Sequence, residues 1–465
     1  MSELRKTTVF GGAAVALVVL ALVTAPRRAA PDAFFDVGDP FFPEFTDPET
    51  ATSLEVVEFD EDTAAAAIFR VTNRNGLWTI PSHNDYPADG KERLASTAAE
   101  VIAIIKDDFR SDNVTDQEAF GVIDPLDERA TALRGRGQRV TFKGASEQVL
   151  ADLIIGNPVP GRPGLNFVRV PDQNRVYAAR TNINLSTRFS DWIETNLLEV
   201  ERADVKQIVL NEYQLDEGTG AVVRRGEFIV DWVDEDVWTA NDVPAGQEVD
   251  FIQVNLLVGG LMGLEIEGVL PKPEGLSGNL RQAFEAQTIT TDDLQTMQSR
   301  GFYPTQTGDM LSNEGELLVR TEEGVRYTLR FGEILSTIGA VVAIGDETSD
   351  NPETGPGENR YVLISAEFDP SSLAEPPQPA NRDFETRPEA QWTDADRDNK
   401  QRADRHARWE RLTETGRRRA EELAARFAKW YYVVLGGSYD RVHKAREDLL
   451  KPIEEEPAAP ATPPA

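Results

Sequence analysis

The residues that could do chemistry are few. Histidine occurs three times, at His83, His406 and His443, and cysteine is absent. Without cysteine there are no disulfides, thiol nucleophiles or thiolate metal sites. His83, in Ser82-His83-Asn84-Asp85, has a carboxylate nearby and is the candidate general base. No nucleophile stands beside it in sequence, so it reads as a loop histidine. Asp394, Asp396, Asp398 and Asn399 have the spacing of a calcium loop, but glycine is missing at the sixth position and Arg405 stands where a bidentate Glu belongs. A second acidic group, Asp346, Glu347, Asp350, Glu353 and Glu358, reads as a solvated loop. Gly436-Gly437-Ser438 lacks the trailing glycine of a nucleophile elbow and reads as a turn and helix N-cap. Trp78 and Trp238 sit in two strand patterns and read as core. No residue is therefore assigned a catalytic, cofactor-binding or metal-binding role. The enzymatic alternative is an extracytoplasmic carboxylate-based hydrolase, whose Asp/Glu pair the sequence does not identify.

The 465 residues carry a formal net charge of −32, with 40% hydrophobic residues. Such a chain can bury a real core, and its charge repels nucleic acid, which is excluded as a partner. Thr7 to Ala25 contains no charge and is preceded by Arg5 and Lys6 and followed by Arg27 and Arg28. As a helix it would span about 28 Å, close to a bilayer's hydrocarbon core. A cleaved signal peptide would have a shorter apolar core, and Pro26 follows Val23-Thr24-Ala25 where cleavage would fall. The expectation is an uncleaved signal anchor over residues 1–28, with the membrane contacted through 7–25. The short basic N-terminus belongs inside, which places the rest outside a bacterial inner (cytoplasmic) membrane as a single-pass protein.

Those few chemical groups must be positioned by the elements that follow. Residues 29–53 read as an extended tether, rich in Pro, Asp and Phe. Strand patterns fall at Leu54–Phe59, Ile68–Val71 and Leu77–Ile80, with Asn75-Gly76 as the turn. A helix is expected over Lys91–Lys106, from the spacing of Leu94, Ala98, Val101, Ile102 and Ile105. Phe120-Gly121 to Pro125 is a turn-like step, and Arg139–Phe142, Ala151–Ile155, Phe167–Val170 and Arg175–Tyr177 are strands. The order then recurs. Gln207–Tyr213, Gly226–Val230 and Val237–Thr239 repeat the first three strands, with Trp238 at an offset of 160 from Trp78. A helix over Glu248–Leu264 follows, then an insertion at 267–296, the step Gly301–Pro304, the hairpin Glu316–Phe331 and the strand Arg360–Glu367.

The expected organisation is a first α+β repeat at 54–200, a second at 201–368, and a linker at 369–393. A C-terminal helix, strand and helix follow at 394–451, then a disordered tail at 452–465. Asp394–Trp430 reads as a charged helix with one apolar stripe: Trp409, Leu412, Gly416, Ala420, Leu423, Phe427 and Trp430. Its basic positions from Arg402 to Arg419 read as a face that pairs with the chain's own acidic domain; a partner-docking helix is the alternative. The fold class is α+β: two tandem strand-rich repeats after one N-terminal transmembrane helix, with a helix-strand-helix extension.

The first repeat resembles the bacterial domain-of-unknown-function family 4340 (DUF4340). The resemblance rests on the anchor, the Trp78-x-Ile80 strand, the helix containing Leu94-Ala95-Ser96-Thr97-Ala98, and the Phe120-Gly121…Pro125 step. Leu153-Ile154-Ile155-Gly156, Phe167–Val170, Val176-Tyr177 and Asp191-Trp192 add to it. It covers about 54–200 well and the second half more loosely, and Arg426–Val433 looks like the C-terminal segment of long members. These motifs are structural and bring no catalytic residues. The resemblance implies association with gliding-type ABC transporter components. The functional expectation is a non-enzymatic, membrane-tethered scaffold or accessory subunit with protein partners in an envelope complex.

Overall fold

The computed structural model describes residues 36–194, 196–216, 221–234, 237–272, 289–305, 309–335 and 358–453. The expected anchor at 7–25 and most of the acidic group at 346–358 lie outside them. Among the described residues no helix is long and apolar enough to cross a membrane.

Along the chain the first elements are β1 (Ser53–Asp60), β2 (Ala65–Arg74), β3 (Leu77–Ile80), β4 (Tyr86–Pro87), α1 (Lys91–Ala103), β5 (Asp108–Ser111) and α2 (Gln117–Phe120). Then come β6 (Gln138–Lys143), β7 (Val149–Pro158), β8 (Leu165–Arg169), β9 (Val176–Arg180), β10 (Val205–Asp216), β11 (Ala221–Asp234) and β12 (Val237–Ala240). The second half continues with β13 (Gln247–Val249), α3 (Phe251–Met262), β14 (Ile266–Pro271), α4 (Thr291–Gln298), β15 (Phe302–Pro304), β16 (Met310–Ser312), β17 (Glu316–Thr321), β18 (Val325–Ile334) and β19 (Arg360–Phe368). Last are α5 (Asp394–Phe427), β20 (Trp430–Val434), α6 (Gly436–Val442) and β21 (Leu450–Pro452). The fold is strand-rich α+β.

Two compact units divide the chain: residues 1–68 with 92–185, and residues 69–91 with 186–465. In the first, antiparallel strands run in the order β1-β6-β7-β8-β9-β5. In the second, an eight-stranded sheet runs β12-β11-β10-β17-β18-β19-β20-β14. From β10 onward this is the first unit's order again. In both, the strand directly after the helix (β5 after α1, β14 after α3) closes the row beside a late strand, β9 or β20.

Two glycine pairs make the same close approach in each sheet. Gly121 and Gly301 end helical turns with φ of 69° and 82°, a backbone that glycine adopts without strain. A Cβ on Gly156 would lie 2.5 Å from the Phe120 carbonyl oxygen, and one on Gly332 would lie 2.2 Å from that of Arg300. Strand and turn therefore touch backbone to backbone, which any larger residue would prevent.

Several expectations change in detail. The helix expected at Glu248–Leu264 is shorter. Gln247–Val249 pairs with Leu450–Pro452 as a strand, and Asp250 caps α3 by accepting a hydrogen bond from the Ile252 amide. The expected insertion at 267–296 begins with β14, which fills the sheet beside β20. The last helix expected within 394–451 is short: α6 starts at Gly436 and ends at Val442, and β21 begins at Leu450. Ser438 is not an N-cap. Leu435 holds that position, and the Ser438 hydroxyl accepts from the Glu265 amide and from Arg441. Residues 369–393 carry short 3-10 turns, and Phe384 among them is buried.

The segment entering the first unit is a packed strap. Phe41 and Phe45 are buried, against Tyr177 and Phe142. The Tyr177 hydroxyl donates to Asp36 Oδ2 at 2.5 Å, and Lys106 Nζ lies 3.0 Å from the same oxygen. Burial would raise the Asp36 pKa, but the Tyr177 hydrogen bond and the charges of Lys106 and Arg175 bring it below the ordinary carboxylate value.

Candidate functional site

The residues singled out in sequence do not converge. His83 lies in a 3-10 turn between β3 and β4, a loop position as read, and is fully buried there. Its ring stacks on Phe189 at 4.1 Å, beside Tyr86, which also packs edge-on against Trp430. The local cause is Pro81, which starts the turn, and Asn84, whose left-handed backbone ends it. Trp238 is buried, while Trp78 is half-buried.

Asp396 belongs to no calcium loop. It closes a capping box with Thr393 at the start of α5, and Arg387 pairs with it at 3.0 Å. The Thr393 hydrogen bonds hold its pKa below the ordinary value.

Three basic positions of α5 pair with acids elsewhere in the second unit. Arg408 reaches Glu322, and Arg419 and Arg426 both reach Glu199, at 3.0 and 2.5 Å. Others pair along the helix: Arg402 with Asp398 and Lys400 with Asp404. The helix can lie this close because Gly416 has no side chain: a Cβ there would stand 1.9 Å from the Glu323 carbonyl oxygen.

A site that sequence reasoning missed is a cleft of about 330 Å³ in the second unit, lined by ends of β10, β17 and β18 and by the turn after α6. Four carboxylates line it: Glu212, Glu314, Glu316 and Glu447, with His443 and Lys444. Three of the acids hold structural partners. Glu314 pairs with Arg360 at 3.1 Å, and Glu316 pairs with Arg330 at 3.0 Å while accepting from Asn211 at 2.8 Å. Glu212 accepts the Arg446 amide at 3.2 Å.

His443 Nε2 lies 2.9 Å from the Glu314 carbonyl oxygen, so Nε2 carries the proton. Its ring stacks on Tyr439 at 4.6 Å. Below it the Tyr213 hydroxyl accepts the Ser312 amide at 2.8 Å, and burial raises its pKa. Carboxylates paired with arginines and a histidine donating to a carbonyl make a polar notch, suited to receiving cationic or hydrogen-bonding groups. No signal in sequence could have found the cleft, because its residues come from segments up to 237 positions apart (447 − 210).

Of the motifs that carry the family resemblance, the Trp78-x-Ile80 strand leads into α1, the Phe120-Gly121 step ends α2, and Leu153–Gly156 lies in β7. Residues 78–278 match the family model described as Domain of unknown function (DUF4340). The chain carries a DUF4340 domain. The DUF4340 match starts in β3 and ends just beyond β14, so it takes in strands of both sheets rather than residues 54–200 alone. No curated protein and no solved structure matches the chain.

Proposed function

We propose that this protein is a non-enzymatic scaffold or accessory subunit of a bacterial envelope complex, tethered by residues 7–25 to the inner membrane with its folded part outside the cytoplasm. The observation that carries this reading is the strap. The uncharged stretch Thr7–Ala25 is separated by residues 26–35 from Asp36, which is locked into the first unit by Tyr177 and Lys106. The first unit thus holds the chain from its first described residue.

Two sheets of one strand order support a tandem repeat of a binding module. The DUF4340 resemblance adds a gliding-type ABC transporter as the complex. In the acidic cleft Glu314 and Glu316 serve as partners of Arg360 and Arg330, which favours a docking notch over the hydrolase alternative.

The test is membrane fractionation followed by native purification in mild detergent. The full-length protein is expected to stay in the pellet after carbonate washing, to be degraded by protease only when added from outside the cytoplasm, and to co-purify with a stoichiometric partner. Release by carbonate would overturn the tether, and a lone monomer in detergent would overturn the accessory role.

A further inference from the structure

The outward face of α3 is apolar in a chain that is otherwise strongly acidic. Ile252 and Leu256 are 53% and 59% exposed, and Phe251 at the helix start is 38% exposed. Ile252, Leu256 and Gly259 are spaced four and three apart, which puts them on one side of the helix. A Cβ on Gly259 would meet nothing within 4 Å. Among the described residues no charged side chain stands on this row. Resting on the tether reading above, we propose that this face of α3 lies in the interfacial layer of a lipid bilayer, so that the protein touches its membrane a second time.

Charge argues for lipid over protein. With a net charge of −32, a second copy of the chain or another acidic protein is repelled at long range. A zwitterionic bilayer carries no net charge and offers the apolar row a place out of water. Basic side chains sit at the edges of the row. Lys451 Nζ lies 5.8 Å from the centre of the Phe251 ring, and Arg202 donates to the Asn255 carbonyl oxygen at 3.2 Å. Such side chains lay their stems along apolar surface while the charged head stays with phosphates. An acid balances one of them, Glu248 with Lys451 at 3.3 Å, so the rim suits neutral lipid rather than strongly anionic lipid. On the tether reading, residues 26–35 can carry Asp36 of the first unit at most about 35 Å from the end of the anchor.

Because the chain has no cysteine, a single one can be placed and labelled without background. The full-length protein carrying Leu256→Cys, coupled to an environment-sensitive fluorophore, is reconstituted into phosphatidylcholine vesicles with and without brominated acyl chains. Ser96→Cys on α1 is the matched control. The probe at 256 is expected to shift to the blue and to be quenched about twofold by brominated lipid, the signature of burial at the acyl boundary. The probe at 96 should not respond, and Ile252→Glu in the 256 background should abolish the quench.

Protein that fails to float with the vesicles overturns the tether reading itself. Protein that floats with an unquenched probe at 256, or with both positions quenched alike, overturns this inference alone. Disulfide cross-linking between two copies at position 256 overturns it in favour of a second copy.

Discussion

Helices α1 and α3 occupy the same place in two sheets of the same order and bury the same positions. Leu94, Thr97, Ala98 and Val101 of α1 are buried, and at an offset of 160 (254 − 94) so are Val254, Leu257, Val258 and Leu261 of α3. Facing outward, α1 carries Lys91, Glu92, Ser96 and Ala99, whereas α3 carries Phe251, Ile252, Leu256 and Gly259. The inward sets show that one packing problem is solved twice. The outward sets show that the two solutions meet different surroundings. Burial therefore reports the fold, and the exposed positions report where the two helices differ.

The largest effect should come from what the sheets share. Gly156→Ala and Gly332→Ala each force a Cβ into a carbonyl oxygen, at 2.5 and 2.2 Å. Neither contact can relax without moving backbone, so each should cost about 3 kcal/mol or more in urea unfolding. If only one of the two is costly, the equivalence of the sheets fails at its tightest point.

Next comes a device of the first unit, the strap. Replacing Asp36 by Asn leaves Tyr177 and Lys106 without their carboxylate and should cost about 1.5–3 kcal/mol at neutral pH, the worth of hydrogen bonds to a charged group. The sign with pH follows from the depressed pKa of Asp36. Its contribution is fully present above the unfolded carboxylate value of about 3.9 and disappears as pH falls through the lower folded value. The urea midpoint of the parent should therefore drop more steeply than that of Asp36→Asn below about pH 4. Parallel curves would remove Asp36 from the account.

Much of this architecture was legible because strand alternation, the Trp78 and Trp238 strands, and the Gly121–Pro125 and Gly301–Pro304 steps recur in both halves. Leu77–Ile80 was placed at its observed bounds, and Glu316–Thr321 within a residue. What escaped had physical reasons. Trp430–Val434 is the second sheet's counterpart of β9, but α5 and its approach intervene, so local pattern assigned it to an extension. Asp108–Ser111 is short and polar and becomes a strand only through pairing with β9. The burial of His83 escaped because nothing in Ser82-His83-Asn84-Asp85 announces the Phe189 ring that covers it. The cleft around His443 was unreadable for the same reason: it is made by tertiary proximity, and its acids look like ordinary surface acids along the chain.

A smaller effect belongs to the second unit. Glu199 receives both Arg419 and Arg426, yet it is about two-fifths exposed, with a side-chain exposure of 41%. Screening by solvent limits such a cluster, so Glu199→Gln should cost about 0.5–1 kcal/mol at low salt and less at high salt. A loss that persists unchanged in molar salt would mean that the Glu199 side chain matters through packing rather than charge.

The smallest effect on stability should come from the positions that differ most. Exchanging the outward residues, with Ile252→Glu and Leu256→Ser on α3, removes no buried contact. A glutamate in the first turn is also favoured by the helix dipole, so unfolding should shift by no more than about 0.5 kcal/mol. The reciprocal pair on α1, Glu92→Ile and Ser96→Leu, should be equally neutral for folding. Its consequence should appear in company instead: the α1 pair should gain affinity for phosphatidylcholine vesicles, and the α3 pair should lose it. A destabilisation of several kcal/mol by the α3 exchange would show that Ile252 and Leu256 are core residues of this protein, and the contrast between the two helices would then lie in packing rather than in what each one faces.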